Sequence, residues 1–184
     1  KVNKKGEAYV DQNFDLYGIE YTYGDGTKMM FDGRNMDGCE ERYSSYMHGT
    51  KASAIVSANS DCGLPSSIHN RRDLSRGSIV WKSTVAKDEE NPYQNEWNDL
   101  VDAIRDDKPY NEAKRGIEAC LVSNMGRMAA HTGQLITLEK MLACEHEFAP
   151  GVAELTTGSE APVRADAEGR YPVPRPGIVT DREY

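Results

Sequence analysis

The sequence predicts an α+β domain, in which helices pack on one face of an open, mostly antiparallel β-sheet. Two observations lead to this fold class. Segments whose side chains alternate in a period of two all lie before residue 85, and segments with a 3.6-residue period all follow residue 90. Strands that are followed by helices, rather than alternating with them, are typical of α+β domains.

The first predicted element is a hairpin. Residues 14–23 alternate in the manner of a strand, the glycine-rich residues 24–26 provide a turn, and residues 27–34 form the returning strand. Its aromatic and Met side chains, such as Tyr17 and Tyr21, predict a surface for self-association, because large exposed apolar patches mark association sites.

More strands are expected after this hairpin. A polar loop at residues 38–45 precedes a second hairpin, in which residues 46–48 and 52–57 flank a Gly-Thr-Lys turn. Residues 59–76 are rich in Ser, Asn, Asp, Arg and Gly, a composition that predicts a long loop. Residues 78–81 predict a further strand.

Helices are predicted from residue 91 onward. The first has an apolar stripe at i, i+3, i+4 and i+7, formed by Trp97, Leu100, Val101 and Ile104. Asn111 is suited to cap a second helix of roughly 20 residues that ends near Gly133. On this helix Cys120 is expected in the core, and His131 suits the negative end of the helix dipole. Thr137 is suited to cap a short third helix.

The predicted domain covers residues 1–147, and a proline-rich tail covers residues 148–184. Alternating prolines between residues 172 and 176 favour an extended path over the domain or over a neighbouring subunit, and partial disorder of the tail stays open. The chain begins in a polar segment without Met, so we expect a piece of a longer or processed protein.

Composition argues against several classes of partner. The net charge is −8 and no basic run occurs, which disfavours nucleic acid. No stretch approaches the roughly 20 apolar residues that span a bilayer, so a soluble protein without a membrane partner is expected. The four cysteines include no C-x-x-C pair, so no metal site is predicted, and a bridge between Cys39 and Cys62 stays open. The compartment, cytoplasm or periplasm, stays open as well.

Several segments carry a family resemblance. Residues 91–113 read NPYQNEWNDLVDAIRDDKPYNEA and residues 125–134 read MGRMAAHTGQ. The turn MHGTKA at residues 47–52 and the motif PRPG at residues 174–177 accompany them. Together these segments resemble the C-terminal region of bacterial Gfo/Idh/MocA-family oxidoreductases, with matches from about residue 14 to the end.

The resemblance implies a substrate-binding and oligomerisation domain of an NAD(P)-dependent enzyme acting on a sugar, cyclitol or related polyol. Such a domain works with a Rossmann domain of the same parent chain and assembles as a homo-oligomer. The G-x-G-x-x-G fingerprint of dinucleotide sites is missing here, as are the "EKP" lysine and the "DxxxH" pair of the family. This chain alone is therefore expected to hold no cofactor and no catalytic residue, and to be inactive.

Three residues are candidate substrate contacts. Arg34 ends the second strand and suits a hydroxyl or a carboxylate of a substrate, although a surface position or an ion pair also explains it. His48 lies beside a tight turn at a strand end, where it either binds a ligand or only stabilises the turn. Asn111 either faces the ligand or only caps its helix.

Two other functions stay open from the sequence. One is NAD-dependent glycoside hydrolysis, which some relatives in the resembled family perform. The other is a non-enzymatic binding or scaffold module.

Overall fold

The computed structural model describes residues 6, 10, 12–58, 66–85 and 91–184. Six strands precede three α-helices in this part of the chain, which confirms the α+β class with an open antiparallel sheet. The strands are β1 (Leu16–Thr22), β2 (Lys28–Arg34), β3 (Arg42–His48), β4 (Ala52–Ala58), β5 (Ser67–Asn70) and β6 (Ile79–Lys82). The helices are α1 (Pro92–Arg105), α2 (Ala113–Thr132) and α3 (Leu138–Leu142), and short 3-10 helices lie at Arg76–Ser78 and Val152–Glu154.

The sheet is a simple meander. Its spatial order is β1-β2-β3-β4-β5-β6, and every neighbouring pair is antiparallel. Both predicted hairpins are confirmed. The β1–β2 turn contains Gly26 with φ +84°, a conformation that glycine adopts without the strain of a Cβ atom.

One strand begins earlier than predicted, and another was not predicted at all. β3 begins at Arg42, so part of the predicted polar loop belongs to the strand. β5 lies inside the predicted long loop, whose residues 59–65 are outside the described part of the chain. β5 buries Ser67 and His69 and exposes Ile68, so its alternation is real but places polar side chains inward.

The sheet has two chemically different faces. The apolar face carries a row of cross-strand partners, formed by Tyr21, Met29, Met47, Ala54, Ile68 and Trp81. None of these six side chains is buried. The polar face carries the row formed by Lys28, His48, Ser53, His69 and Ile79. On that face Ser53 and His69 are buried, which inverts the usual distribution of polar and apolar groups.

Gly33 allows a close contact on the apolar face. A Cβ atom at this position would lie 2.8 Å from Cε1 of Phe31, because the ring covers the glycine backbone. Any other residue at position 33 would displace the ring.

Polar side chains set the helix ends. Asn91 Oδ1 accepts hydrogen bonds from the N–H groups of Tyr93 and Gln94, at 3.1 and 3.2 Å, at the start of α1. α2 ends at Thr132 before Gly133, whose φ of +70° is typical of a helix C-terminus. Thr137 Oγ1 accepts a hydrogen bond from the N–H of Lys140 and caps α3 as predicted.

The chain divides into two compact units, Leu16–Cys120 and a second that joins Lys1–Asp15 to Leu121–Tyr184. α2 contributes to both. In its first half Ile117 and Cys120 are exposed, so the expectation of a core position for Cys120 is wrong. Cys39 is an exposed free thiol, and its candidate partner Cys62 lies outside the described residues.

The buried residues of α2 all lie in its second half. Its buried residues are Gly126, Met128, His131 and Thr132. Pro174, Val179 and Glu183 from the proline-rich tail are buried in the same unit. None of the described helices combines the length and the apolar character that a bilayer crossing requires.

Candidate functional site

One edge of the sheet brings several polar groups together. Because neighbouring strands run in opposite directions, the start of β2, the end of β3 and the start of β4 meet at this edge. Lys28 pairs with His48 in register, and His48 pairs in turn with Ser53. The connection after β5 reaches the same edge, since Asn70 pairs with Ala52.

His48 is held by a buried hydroxyl. Its Nδ1 lies 3.2 Å from Oγ of Ser53, and Ser53 is buried within the polar face. This hydrogen bond occupies one ring nitrogen. Nε2 has no hydrogen bond to another described residue, so it is available to a ligand.

A pocket of about 430 Å³ opens beside His48. It is lined by Gly26, Lys28, His48, Gly49, Thr50 and Arg72. We name it the edge pocket. Its volume falls in the range of sites for small molecules. The predicted candidate His48 therefore lies in a concave site, although its role in binding substrate stays a prediction.

A hydrogen-bond network holds the connection that carries Arg72. His69 is buried, with Nε2 at 2.9 Å from Ser67 Oγ and Nδ1 at 2.9 Å from Ser78 Oγ. The Ser75 N–H and hydroxyl donate to the Asp73 carboxylate at 2.8 and 2.9 Å. These hydrogen bonds lower the pKa of Asp73 below its ordinary value of 3.8.

The predicted candidate Arg34 lies far from the edge pocket. It is six residues along β2 from Lys28, which corresponds to about 20 Å of strand. Its Nε donates to the carbonyl of Glu40 at 2.8 Å, and the Glu40 carboxylate lies 3.7 Å from its guanidinium. The structure therefore does not bring Arg34 and His48 together.

The predicted candidate Asn111 acts as a cap. Its Oδ1 accepts a hydrogen bond from the N–H of Ala113 at 3.0 Å, and the side chain is exposed. Arg34 and Asn111 both stay predictions as substrate contacts.

A buried charged cluster in the other unit was not predicted. The Glu183 carboxylate contacts His131 Nδ1 and Arg127 Nε, each at 2.7 Å from Oε2. Glu183 Oε1 is buried and accepts no hydrogen bond in the described part of the chain. The Phe14 ring meets the His131 ring edge-on at 5.0 Å between centroids. The cluster ties the tail to α2, and no local sequence pattern marks Glu183 as the partner.

The described residues provide no set of groups that would bind a metal ion or a dinucleotide. No three His, Cys, Asp or Glu side chains are grouped as a metal ion requires there. A dinucleotide fold holds pyrophosphate at a glycine-rich turn between a parallel strand and a helix, whereas the six described strands pair only antiparallel. In comparisons with known proteins, no family model, no curated protein and no solved structure matches this chain.

Proposed function

We propose that this chain is the substrate-binding and oligomerisation domain of an NAD(P)-dependent oxidoreductase that acts on a sugar, cyclitol or related polyol. One observation carries the proposal. The segment MHGTKA, which resembles a hairpin of the Gfo/Idh/MocA family, supplies three residues of the edge pocket, His48, Gly49 and Thr50. The segment that carries the resemblance and the concave site thus coincide at one strand end.

The role of this chain is to bind and orient. His48 Nε2, the Thr50 hydroxyl and the Arg72 guanidinium provide polar groups around one pocket, which suits a molecule with several hydroxyls. Holding a substrate in one orientation lowers the barrier of the chemical step, because the loss of rotational and translational freedom precedes it.

NAD or NADP would be the hydride carrier of the parent enzyme. The residues of this chain do not fit that cofactor, since they include no glycine fingerprint and no parallel strand pair in the described sheet. The proposal therefore assigns the cofactor and the proton-transferring groups to a Rossmann domain of the same parent chain.

The apolar face supports the assembly part of the proposal. Ile68 and Trp81 are exposed neighbours on this face, and Met29 and Met47 extend the row without being buried. An apolar row that crosses a whole sheet, with exposed members at one end and no buried member, is typical of a surface that a second copy covers. A homo-oligomer formed through this face is part of the proposed function.

The parent reading frame gives the direct test. Its product should reduce NAD⁺ or NADP⁺, followed at 340 nm, when a polyol is supplied. His48→Ala should raise KM more than it lowers kcat, because the residue binds rather than transfers a proton. A parent product without NAD(P)-dependent redox activity would exclude the proposal, and released sugar without net NAD(P)H would identify a hydrolase.

The chain alone provides a second test. Calorimetry with NAD⁺ and NADH should show no binding, because no turn of the glycine-fingerprint type is present in the sequence. Micromolar binding would contradict the division of roles between this chain and a Rossmann domain.

A further inference from the structure

The edge pocket has the opposite charge from the rest of the molecule. The chain carries a net charge of −8 with His counted as neutral, yet the six lining residues include the cations Lys28 and Arg72 and no acidic residue. A concave site lined by cations attracts anions, because the low-dielectric walls of a cleft focus the field of the charges that line it.

Lys28 and Arg72, the two cations of the pocket, come from different segments. Lys28 and His48 are directly opposite each other on neighbouring strands, which places their Cβ atoms about 5 Å apart. Arg72 comes from the connection between β5 and β6. Arg71 precedes it with a φ of +61°, so this turn is tightly bent for a residue that carries a side chain.

Nearby carboxylates leave part of this positive charge uncompensated. Glu20 forms an ion pair with Lys28. Asp73 and Asp25 keep their negative charge, since their donors, Ser75 and the N–H of Thr27, are neutral, but neither forms an ion pair with a described cation. Among the described residues, no carboxylate lies within ion-pair distance of Arg72.

Neutral donors complete the site. The Thr50 hydroxyl makes no hydrogen bond to another described residue, and His48 Nε2 is likewise available. Arginine presents several N–H groups in a planar fork that matches an oxyanion, and lysine adds a point charge. Together these groups fit a carboxylate or a phosphate monoester better than they fit an uncharged hydroxyl.

We propose that the edge pocket binds the oxyanion of an acidic polyol, either a sugar acid or a sugar phosphate. The polyol part of this assignment rests on the proposed function. The oxyanion part rests only on Lys28, His48, Thr50 and Arg72.

The test uses the 184-residue chain and direct binding. D-gluconate, sorbitol 6-phosphate and uncharged sorbitol are titrated separately, with calorimetry and amide chemical shifts as readouts. At least one anion should bind at least about tenfold more tightly than sorbitol, because a charge-assisted hydrogen bond contributes roughly 1.5–3 kcal/mol. The tighter of the two anions distinguishes a carboxylate ligand from a phosphate ligand, and added NaCl should weaken its binding.

Variants locate the site. Arg72→Gln should weaken anion binding about tenfold or more, because it removes a charge-assisted hydrogen bond to the anion. Arg76→Gln is the matched control, because Arg76 is an exposed arginine of the same connection that does not line the pocket. Unchanged amide spectra outside the edge pocket would show that both variants are folded.

Two results would overturn the proposal. One is binding of sorbitol as tight as that of both anions, and the other is anion binding that Arg72→Gln leaves unchanged. A parent enzyme that oxidises neutral polyols while this chain ignores anions would refute the oxyanion site and leave the proposed function standing. Anion binding at Arg72 in a chain whose parent lacks NAD(P) chemistry would support the oxyanion site and refute the proposed function.

Discussion

Glu183 Oε2 lies 2.7 Å from Nδ1 of His131, although 52 residues separate the two in sequence. Their side chains are 1% and 0% exposed, so the contact is closed to water. Arg127 adds a second donor to the same oxygen and is itself partly exposed. A buried carboxylate with two ring or guanidinium donors fixes the position of the tail on α2, because its charge has no alternative solvation.

We expect Glu183→Gln to destabilise the unit that contains α3. The substitution keeps the shape of the side chain but removes the charge that Arg127 and His131 face, and hydrogen bonds to charged groups contribute about 1.5–3 kcal/mol. Urea denaturation measures the change in the free energy of unfolding. Asp181→Asn is the control, since Asp181 is exposed and its partner Arg182 is exposed too. Equal urea midpoints for both variants would show that the charge of Glu183 contributes nothing to the stability of this unit.

The two halves of α2 predict unequal sensitivity to truncation. Met128→Ala should cost about 2–5 kcal/mol, because the side chain is buried and its removal leaves a cavity. Ile117→Ala on the same helix should cost less than about 0.5 kcal/mol, because Ile117 is exposed. Thermal and urea denaturation of the two variants give the comparison. Similar losses would mean that a partner covers Ile117 in solution.

Self-association should depend on one face of the sheet. Ile68 and Ile79 are 39% and 37% exposed, but Ile68 belongs to the apolar face and Ile79 to the polar face. Ile68→Lys should weaken self-association because it places a charge in the apolar row, and Ile79→Lys should leave it unchanged. Sedimentation velocity over a concentration series measures the effect. A wild-type chain that is monomeric at every concentration would contradict the assembly.

Asp73 should titrate below its ordinary pKa in the folded chain. Its pKa is lowered because the Ser75 N–H and hydroxyl donate to the ionised carboxylate. Since the folded pKa lies below the unfolded value, this contribution to stability is complete well above pH 3.8 and is lost as the pH falls through the folded pKa. Ser75→Ala should raise the pKa of Asp73, as carbon-detected NMR titration would show. Ser83→Ala should not change it, because the Ser83 hydroxyl accepts from the N–H of Ser66 instead.

The sequence was most informative where local chemistry decides the structure. The first hairpin follows from its period of two and from its glycine turn. The start of α3 follows from Thr137, whose side chain satisfies a helix N–H group as such residues generally do. Neither inference needs knowledge of distant residues.

The failures have a common physical cause. β5 escapes prediction because its buried residues are Ser67 and His69, which are satisfied by hydrogen bonds rather than by apolar contacts. The Glu183 contact with His131 depends on a chain path that no local pattern encodes. Arg72 likewise gains its place beside His48 only through strand pairing, although His48 itself is identified from the turn beside it.

The exposed row on the sheet has a practical consequence for solution work. Dyes such as anilinonaphthalene sulfonate fluoresce on apolar surfaces and ordinarily report partly unfolded states. Trp81 and Ile68 offer them such a surface in the native fold. Dye fluorescence at room temperature should therefore be high before any melting. The fluorescence per protein molecule should decrease as the protein concentration is raised, because other copies of the chain compete with the dye for this face.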